Sequence, residues 1–554
     1  AGRRASFMFA RTADGSAVSN DSVLGEVLFM GEGNSTLEKA ASIRAEVDGA
    51  PGTNDMPGRL IFSTSADGSD SPTERLRITS AGKAVFSEEI ETPQDYPDFR
   101  PTLDLNFAAE KKLDPRITYE RTGPASFVNE LGKVVLVNGN FPRFDHDPTT
   151  RESKGLLIEE DRININAINT FRRSSNDRFG MNSADEQNAG ENTNGVVSPV
   201  GTAKGVARAF FTGNESNPSG SVYVIASTSS SDGAIFTNTN THTSSVWIRP
   251  GLETVFRMDA HSQYASASAG GTADTISFTF TLTGDGTVTT IESGGISATV
   301  TKFPNNWYRC TATFHRNSTS SVTSPYGVIV YPINYSSYNG NSQTGDIAWF
   351  WGPQVETGSF PSSYIPTYGS TASRGDDIVR IMDDEFKDIF GTEFKEFTIV
   401  ADYDNSEHTD GTLHALIDFW GESGGYTDRI EIFKDGDSPY HLETRAISGN
   451  AGIFANHELT ASSKAATNRF ATSWIVDYDY ATSGNAGRRW AFSFSGEEVD
   501  VVPDNVSTNV PPLTRLGLGN TPTRLDLTPG IFHFKRFVFY PKAVSDNQLR
   551  TLSS

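Results

Sequence analysis

The chain has one cysteine, Cys310, in 554 residues. No disulfide can form within it, so stability has to come from burial, metal ions or assembly. No apolar run approaches the roughly 18 residues of a membrane-spanning helix, which argues against insertion in a bilayer. Basic residues are outnumbered, 46 Lys and Arg against 68 Asp and Glu, for a formal net charge of −22. No Lys/Arg cluster offers the basic face that tracks phosphates, so nucleic acid is not the expected ligand. An acidic surface instead keeps a large particle soluble. The nine histidines include no H-x-H or H-E-x-x-H pair of the kind that binds zinc. No helical repeat, solenoid period or β-helix coil pattern runs along the chain.

What is present is Thr, Ser, Gly and flat, bulky side chains: 36 Phe, 17 Tyr and 7 Trp. These suit pleated surfaces. Short alternating runs broken by Gly, Asn, Asp and Pro continue almost to the end, and they predict an all-β chain. Phe278, Phe280 and Leu282 alternate with Thr. Tyr308, Cys310, Ala312 and Phe314 share one strand face, which makes Cys310 a small buried hydrophobe rather than a nucleophile.

Four regions follow from the punctuation. Residues 1–95 are polar, Gly/Ser-rich and thin in large apolars, and close in a linker, Glu88–Pro101, with three prolines and five acids. Residues 96–163 read as a lead segment packing on a first β-sandwich at 164–375, whose runs include Ser221–Ala226, Ser245–Ile248, Trp307–Arg316 and Asp346–Gly352. Residues 376–554 form a second sandwich. In it the apolar phase of IFHFKRFVFY slips near Lys535-Arg536, predicting a bulge. A last short helix starts with Ser545 as N-cap and packs Leu549 and Leu552.

Within the first region, GRLIFSTSADGSDSPTERLRITSAGKAVF (58–86) is two short strands around a turn and a third strand after Gly82. Its GRL-F-T-ADG-S-PTER-RI-S-G frame resembles a module of bacteriophage tail-fibre and related virion proteins. The family module is stable because three chains wrap together, so the resemblance implies an intertwined stalk and a homotrimer. Here Gly82-Lys83-Ala84-Val85-Phe86 runs into the linker, where the family module often continues into a Gly-Asn-Val-Gly-Ile-Gly run and a self-cleaving chaperone domain. LDPRITYERTGPASFVNELGKVV, NGNFPRFDHDPTT and KGLLIEEDR resemble a lead segment of phage structural proteins that carry lectin-like sandwiches. The string from Trp351 through Gln354, Glu356, Pro361, Tyr364 and Pro366 resembles the close of a carbohydrate-binding-like phage domain. The terminal F-V-F-Y-P-K-A-V-S-D-N-Q-L resembles laminin-G/concanavalin-type lectin sandwiches.

Candidate chemistry is sparse. A sugar ring presents an apolar C–H face, so its site needs an aromatic flanked by groups that take hydroxyls. Tyr335, Tyr338 and Asn339 form one such group, and Trp420 with Tyr426, Asp428 and Arg429 a second, both expected in loops or at strand ends. Asp402 with Asp404, and Asp435 with Asp437, place oxygen ligands at alternate positions, as hard Ca²⁺ requires; a polar turn serves the same pattern. Gly421-Glu422-Ser423-Gly424-Gly425 fits G-x-S-x-G, but that elbow needs a strand before and a helix after, and both flanks here are strand-like. Arg143, Asp145, Asp147, Glu159 and Glu160 could be a carboxylate cluster, and read better as a turn pinned by an Arg–Asp pair with Asx capping.

The expectation is a non-enzymatic virion protein, a trimeric tail fibre on the particle surface that recognises host cell-surface polysaccharide alongside other tail or head proteins. A head fibre without a receptor role, a glycan depolymerase or esterase, and a secreted lectin are the alternatives. The opening AGRRASF has no initiator Met or hydrophobic signal core, which disfavours the last and suggests a processed start.

Overall fold

The computed structural model describes residues 7–33, 36–87, 96–166, 171–173, 179–182, 195–212, 224–227, 234–236, 241–261, 275–292, 295–315, 322–324, 326–332, 344–391, 395–405, 413–421, 428–434, 441–448, 451–460, 468–475, 489–502, 513–519 and 527–554. The chain is all-β, built from antiparallel sheets with a few short helices. It divides into two compact units, 1–96 and 97–554. Among the described residues no helix is long and apolar enough to cross a membrane.

The first unit holds one five-stranded meander: Val23–Gly33, Thr36–Val47, Gly58–Thr64, Thr73–Ile78 and Ala84–Phe86. Register lines up Val27, Ile43, Phe62, Leu76 and Phe86 in one row across all five strands. Two residues along each strand lies a second row, Gly25, Ala45, Leu60, Ile78 and Ala84. Because side chains alternate with period two, both rows project from the same face. The opposite face carries Arg44, Glu46, Arg59 and Arg77, closed into ion pairs: Arg59 with Glu46 (2.5 Å), Asp21 (2.6 Å) and Asp48 (3.4 Å), Arg44 with Glu46 (2.7 Å) and Arg77 with Glu74 (2.5 Å). Under these stems Ile61 is buried. The apolar face has no such cover. Phe9 lies over Gly25, where an added Cβ would come within 2.5 Å of it, yet Phe29 and Phe86 remain 51% and 47% exposed.

The second unit contains two sandwiches. In the first, six strands in the order Phe171–Arg173, Val224–Ser227, Tyr326–Pro332, Val255–His261, Thr275–Thr281, Thr287–Ile291 face six in the order Phe179–Asn182, Ala207–Thr212, Thr344–Thr357, Thr241–Pro250, Trp307–His315, Gly295–Phe303. Phe256, Met258, Phe278 and Phe280 of one sheet meet Val246, Ile248, Tyr308, Cys310, Ala312 and Phe314 of the other. Cys310 is fully buried among them, and burial pushes its thiol well above the usual range.

The second sandwich packs two eight-stranded sheets around Phe397, Ile399, Tyr403, Phe419, Trp474, Trp490 and Phe537. The strand Phe532–Tyr540 loses register at Lys535, where Asp402 faces Arg536 but Tyr403 faces Phe534; this bulge lets Phe534 and Phe537 both turn inward. The closing helix Asp546–Ser553 has a capping box between Ser545 and Gln548, and its Leu549 and Leu552 seal the outer side of the sheet on Val400 and Val538.

The lead segment contributes to both sandwiches. Leu103–Leu105, Thr118–Glu120 and Ser153–Ile158 add as strands to the second one, on Phe532–Tyr540 and Ile378–Met382. The hairpin Ala125–Val128/Val134–Val137 instead packs Val134 against Trp307 and Trp351 of the first. The lead segment thus packs on both sandwiches.

Candidate functional site

Trp420 and Arg429 sit directly opposite each other on the antiparallel strands Leu413–Trp420 and Asp428–Lys434. Core positions Ile417, Phe419, Ile430 and Ile432 point into the sandwich, so alternation places Asp418, Trp420, Arg429, Glu431 and Phe433 on the other side of the sheet. Asp418 is the cross-strand neighbour of Glu431, and Glu431 of Arg445 on His441–Ser448. Glu431 takes an ion pair from each side, Arg429 at 3.2 Å and Arg445 at 2.9 Å, and the Arg445 guanidinium lies 5.0 Å above the Phe433 ring.

Asp418 accepts no such pair, and its Oδ1 is buried without a hydrogen-bond partner among the described residues. Burial, then the neighbouring Glu431 charge, pushes the Asp418 carboxyl well above the ordinary carboxylate range against Arg429 and Arg445. Burial raises Glu431 too, opposed by Arg445 and Arg429. Two carboxyls this close titrate as a pair, and a protonated one becomes a donor.

This face gathers part of the sequence-predicted group. Trp420 ends its strand, within the expected loops or strand ends, but is 3% exposed, a correction to the accessible ring a sugar face needs: the strand carries the ring under cover. Asp428 is half-buried at the strand end and its carbonyl accepts from Gly421 N (3.1 Å). Tyr426, Tyr335, Tyr338 and Asn339 lie outside the described residues. The residues that sequence reading passed over are Asp418 and Glu431. Their signal was a lone carboxylate inside the apolar runs ALIDFW and RIEIF.

The Gly421–Gly425 segment joins two strands that pair antiparallel, so no helix follows it as the nucleophile elbow requires; Ser423 itself lies outside the described residues. Asp402 and Asp404 share one face of Glu396–Asn405. Burial raises the Asp402 carboxyl, opposed by Lys535, Arg469 and Arg536 nearby. Three cations around one carboxylate do not fit a Ca²⁺ site, and no group of three or more His, Cys, Asp or Glu is poised for a metal among the described residues. Asp435 and Asp437 lie outside them.

Arg143 and Glu159 belong to a second buried polar system. Arg143 donates to Ser126 O (3.0 Å), Ser363 Oγ (2.8 Å), Glu159 and Asp377. Glu159 also accepts from Ser363 N (2.7 Å) and pairs with Arg374 (3.1 Å), while Arg121 (3.2 Å) and the Tyr119 hydroxyl reach Asp377. Glu356 accepts from Ser362 N (2.9 Å) and Gln354 (2.9 Å), and Gln354 Oε1 from Ile365 N (2.8 Å). Desolvation alone would raise Glu159; Arg374 and Arg143 outweigh it and hold the carboxyl far below its ordinary value. The Arg–Asp pair expected within the Phe141–Asp145 turn is not the one formed. Arg143 reaches Asp377, and Asp145 instead takes Val128 N (2.6 Å) and His533 (2.9 Å). Asp147 does cap, accepting from Thr149 N (2.8 Å) and Thr150 N (2.7 Å). This system ties the lead segment to the junction of the sandwiches through ion pairs and hydrogen bonds between residues far apart in the chain.

No family model matches the chain, and no curated protein matches it. Among solved structures it is similar to the CBM40 of the Ruminococcus gnavus IT-sialidase bound to alpha2,3 sialyllactose, at 15% identity and TM-score 0.23, covering 29% of this chain and 83% of that one. It is also similar to the leech intramolecular trans-sialidase complexed with 2,7-anhydro-Neu5Ac (15%, TM-score 0.22, 29% and 23%). A third is the binding domain of botulinum neurotoxin DC in complex with rat synaptotagmin II (11%, TM-score 0.24, 32% and 40%).

Proposed function

We propose that the chain is a non-enzymatic bacteriophage tail fibre, three copies of which join through the N-terminal sheet and hold host cell-surface glycans with their β-sandwich domains. The observation that carries this reading is the incompletely covered apolar face of residues 7–87, whose two rows run across all five strands and leave Val27, Phe29, Ile78 and Phe86 exposed. A single-layer sheet cannot bury such a face, and a contiguous exposed apolar surface is a place of association. A closed ring of identical copies covers it without leaving an open edge, and the tail-fibre likeness of residues 58–86 supports three copies. In this reading each sandwich binds sugar weakly, and three on one stalk gain strength by avidity. The virion attaches through further tail or head proteins.

The test is adsorption of the full chain to a panel of bacterial strains, compared with a Phe29→Glu/Phe86→Glu variant. Both rings are about half exposed, so each copy still folds while a charge enters the junction. Adsorption is expected to fall by about 100-fold or more at equal chain concentration. Equal adsorption by the two proteins contradicts the reading.

A further inference from the structure

An open cleft of about 500 Å³ lies where the hairpin Ala125–Val128/Val134–Val137 meets the first sandwich. Leu136, Val200 and Trp351 are among its apolar lining, and Thr202, Lys204 and Tyr368 supply its polar groups. The cleft is preformed. Val134 N donates to Pro199 O (3.2 Å) and Trp307 Nε1 to Val197 O (2.8 Å), which ties residues 197–199 to both the hairpin and the first sandwich. Thr367 Oγ1 donates to Asn166 O (3.0 Å) and fixes the chain just before Tyr368. Tyr368 itself is 58% exposed, so an aromatic ring stands at the mouth.

We propose that this cleft binds a carboxylated pyranose, a uronic-acid residue of a surface polysaccharide; the assignment rests on the glycan-binding reading above and names its ligand class. The volume suits one or two sugar rings. Tyr368 offers a flat face to ring C–H groups, with the Thr202 hydroxyl and Lys204 ammonium on the polar side. Charge selects among sugars. On a chain of net charge −22, Lys204 is the one charged side chain among the described residues lining this cleft, and no carboxylate is among them. A sugar carboxylate therefore meets a cation without an acid beside it. The next cleft, about 310 Å³, shows the contrast: Glu160 and Asp161 line it, and its Arg162 is already paired with Glu160.

The experiment is saturation-transfer NMR and calorimetry on the full chain with a glucuronate-containing tetrasaccharide and the matching glucose tetrasaccharide. Saturation is expected to reach the uronate ring protons, with the neutral sugar bound about fivefold more weakly. Lys204→Gln should erase that preference, Lys204→Arg keep it, and Tyr368→Ala remove the signals of both. Signals that survive Tyr368→Ala, equal binding of both sugars to the unaltered chain, or no transfer at all overturn the assignment. Retention of the two variants on a panel of purified bacterial surface polysaccharides separates the two readings. If Lys204→Gln/Tyr368→Ala is retained as strongly as the unaltered chain, the cleft assignment falls and glycan binding stands. If the unaltered chain is retained by none, both fall.

Discussion

The N-terminal sheet and the sheets of the second sandwich are made of similar strands and differ in what covers them. In the sandwich, Phe397, Ile399 and Tyr403 alternate along one strand and all lie at or below 3% exposure, because a second sheet of equal size sits on them. In the N-terminal unit Val27 and Phe29 alternate in the same way, yet they remain 41% and 51% exposed. Both units settle their charges: Arg59 binds three carboxylates at the N-terminal sheet, and Arg143 and Arg374 bind Glu159 in the second unit. The difference is therefore one of apolar burial, the dominant stabilising term in folding. The sandwiches bury their own apolar faces; the N-terminal sheet leaves part of its own exposed.

The largest effect should come from breaking the closed side. Arg143→Ala leaves Glu159 and Asp377 buried without their shared cation and should cost the second unit about 3–5 kcal/mol, read by urea unfolding. Cys310→Ser puts a hydroxyl among Val246, Tyr308 and Phe314, and should cost about 1–3 kcal/mol for an unsatisfied donor; an unchanged midpoint would mean that the first core is looser than its burial implies.

A smaller, opposite effect is expected at Asp418. Its folded-state pKa is raised, so its native form binds the extra proton. Stability is then fully present below the unfolded value and is lost as pH rises through the folded one. Asp418→Asn should raise the thermal midpoint at pH 7 to 8 and lose that advantage toward pH 4. Glu159 runs the other way. Its folded value is depressed, so its contribution stands at neutral pH and fades as pH falls. Parallel pH profiles for Asp418→Asn and Glu159→Gln would contradict the opposite signs. The smallest effect on stability belongs to Phe29→Glu: the second unit should melt within about 0.5 kcal/mol of the unaltered chain, even though association is lost.

Much of the fold was legible because strand period survives in sequence. The faces of Phe278/Phe280 and Tyr308/Cys310/Ala312/Phe314, the slip at Lys535-Arg536 and the Ser545 cap are local patterns, and the structure has each of them. Partners distant in the chain were not legible. Arg143 finds Asp377, 234 residues on, and no local pattern distinguishes it from Asp145. Trp420 was grouped with Tyr426, Asp428 and Arg429 as an exposed sugar-facing ring, whereas its strand tucks it under cover. Asp418 and Glu431 are lone carboxylates in strand-like apolar runs; only register shows that they face each other.

Light scattering on a sizing column, with the intact chain at micromolar concentration, tests most directly the claim that the N-terminal sheet needs other copies of itself. Three chains of 60.1 kDa, about 180 kDa, are predicted, with Phe29→Glu/Phe86→Glu eluting as one. An unaltered chain that runs at 60.1 kDa would contradict the account.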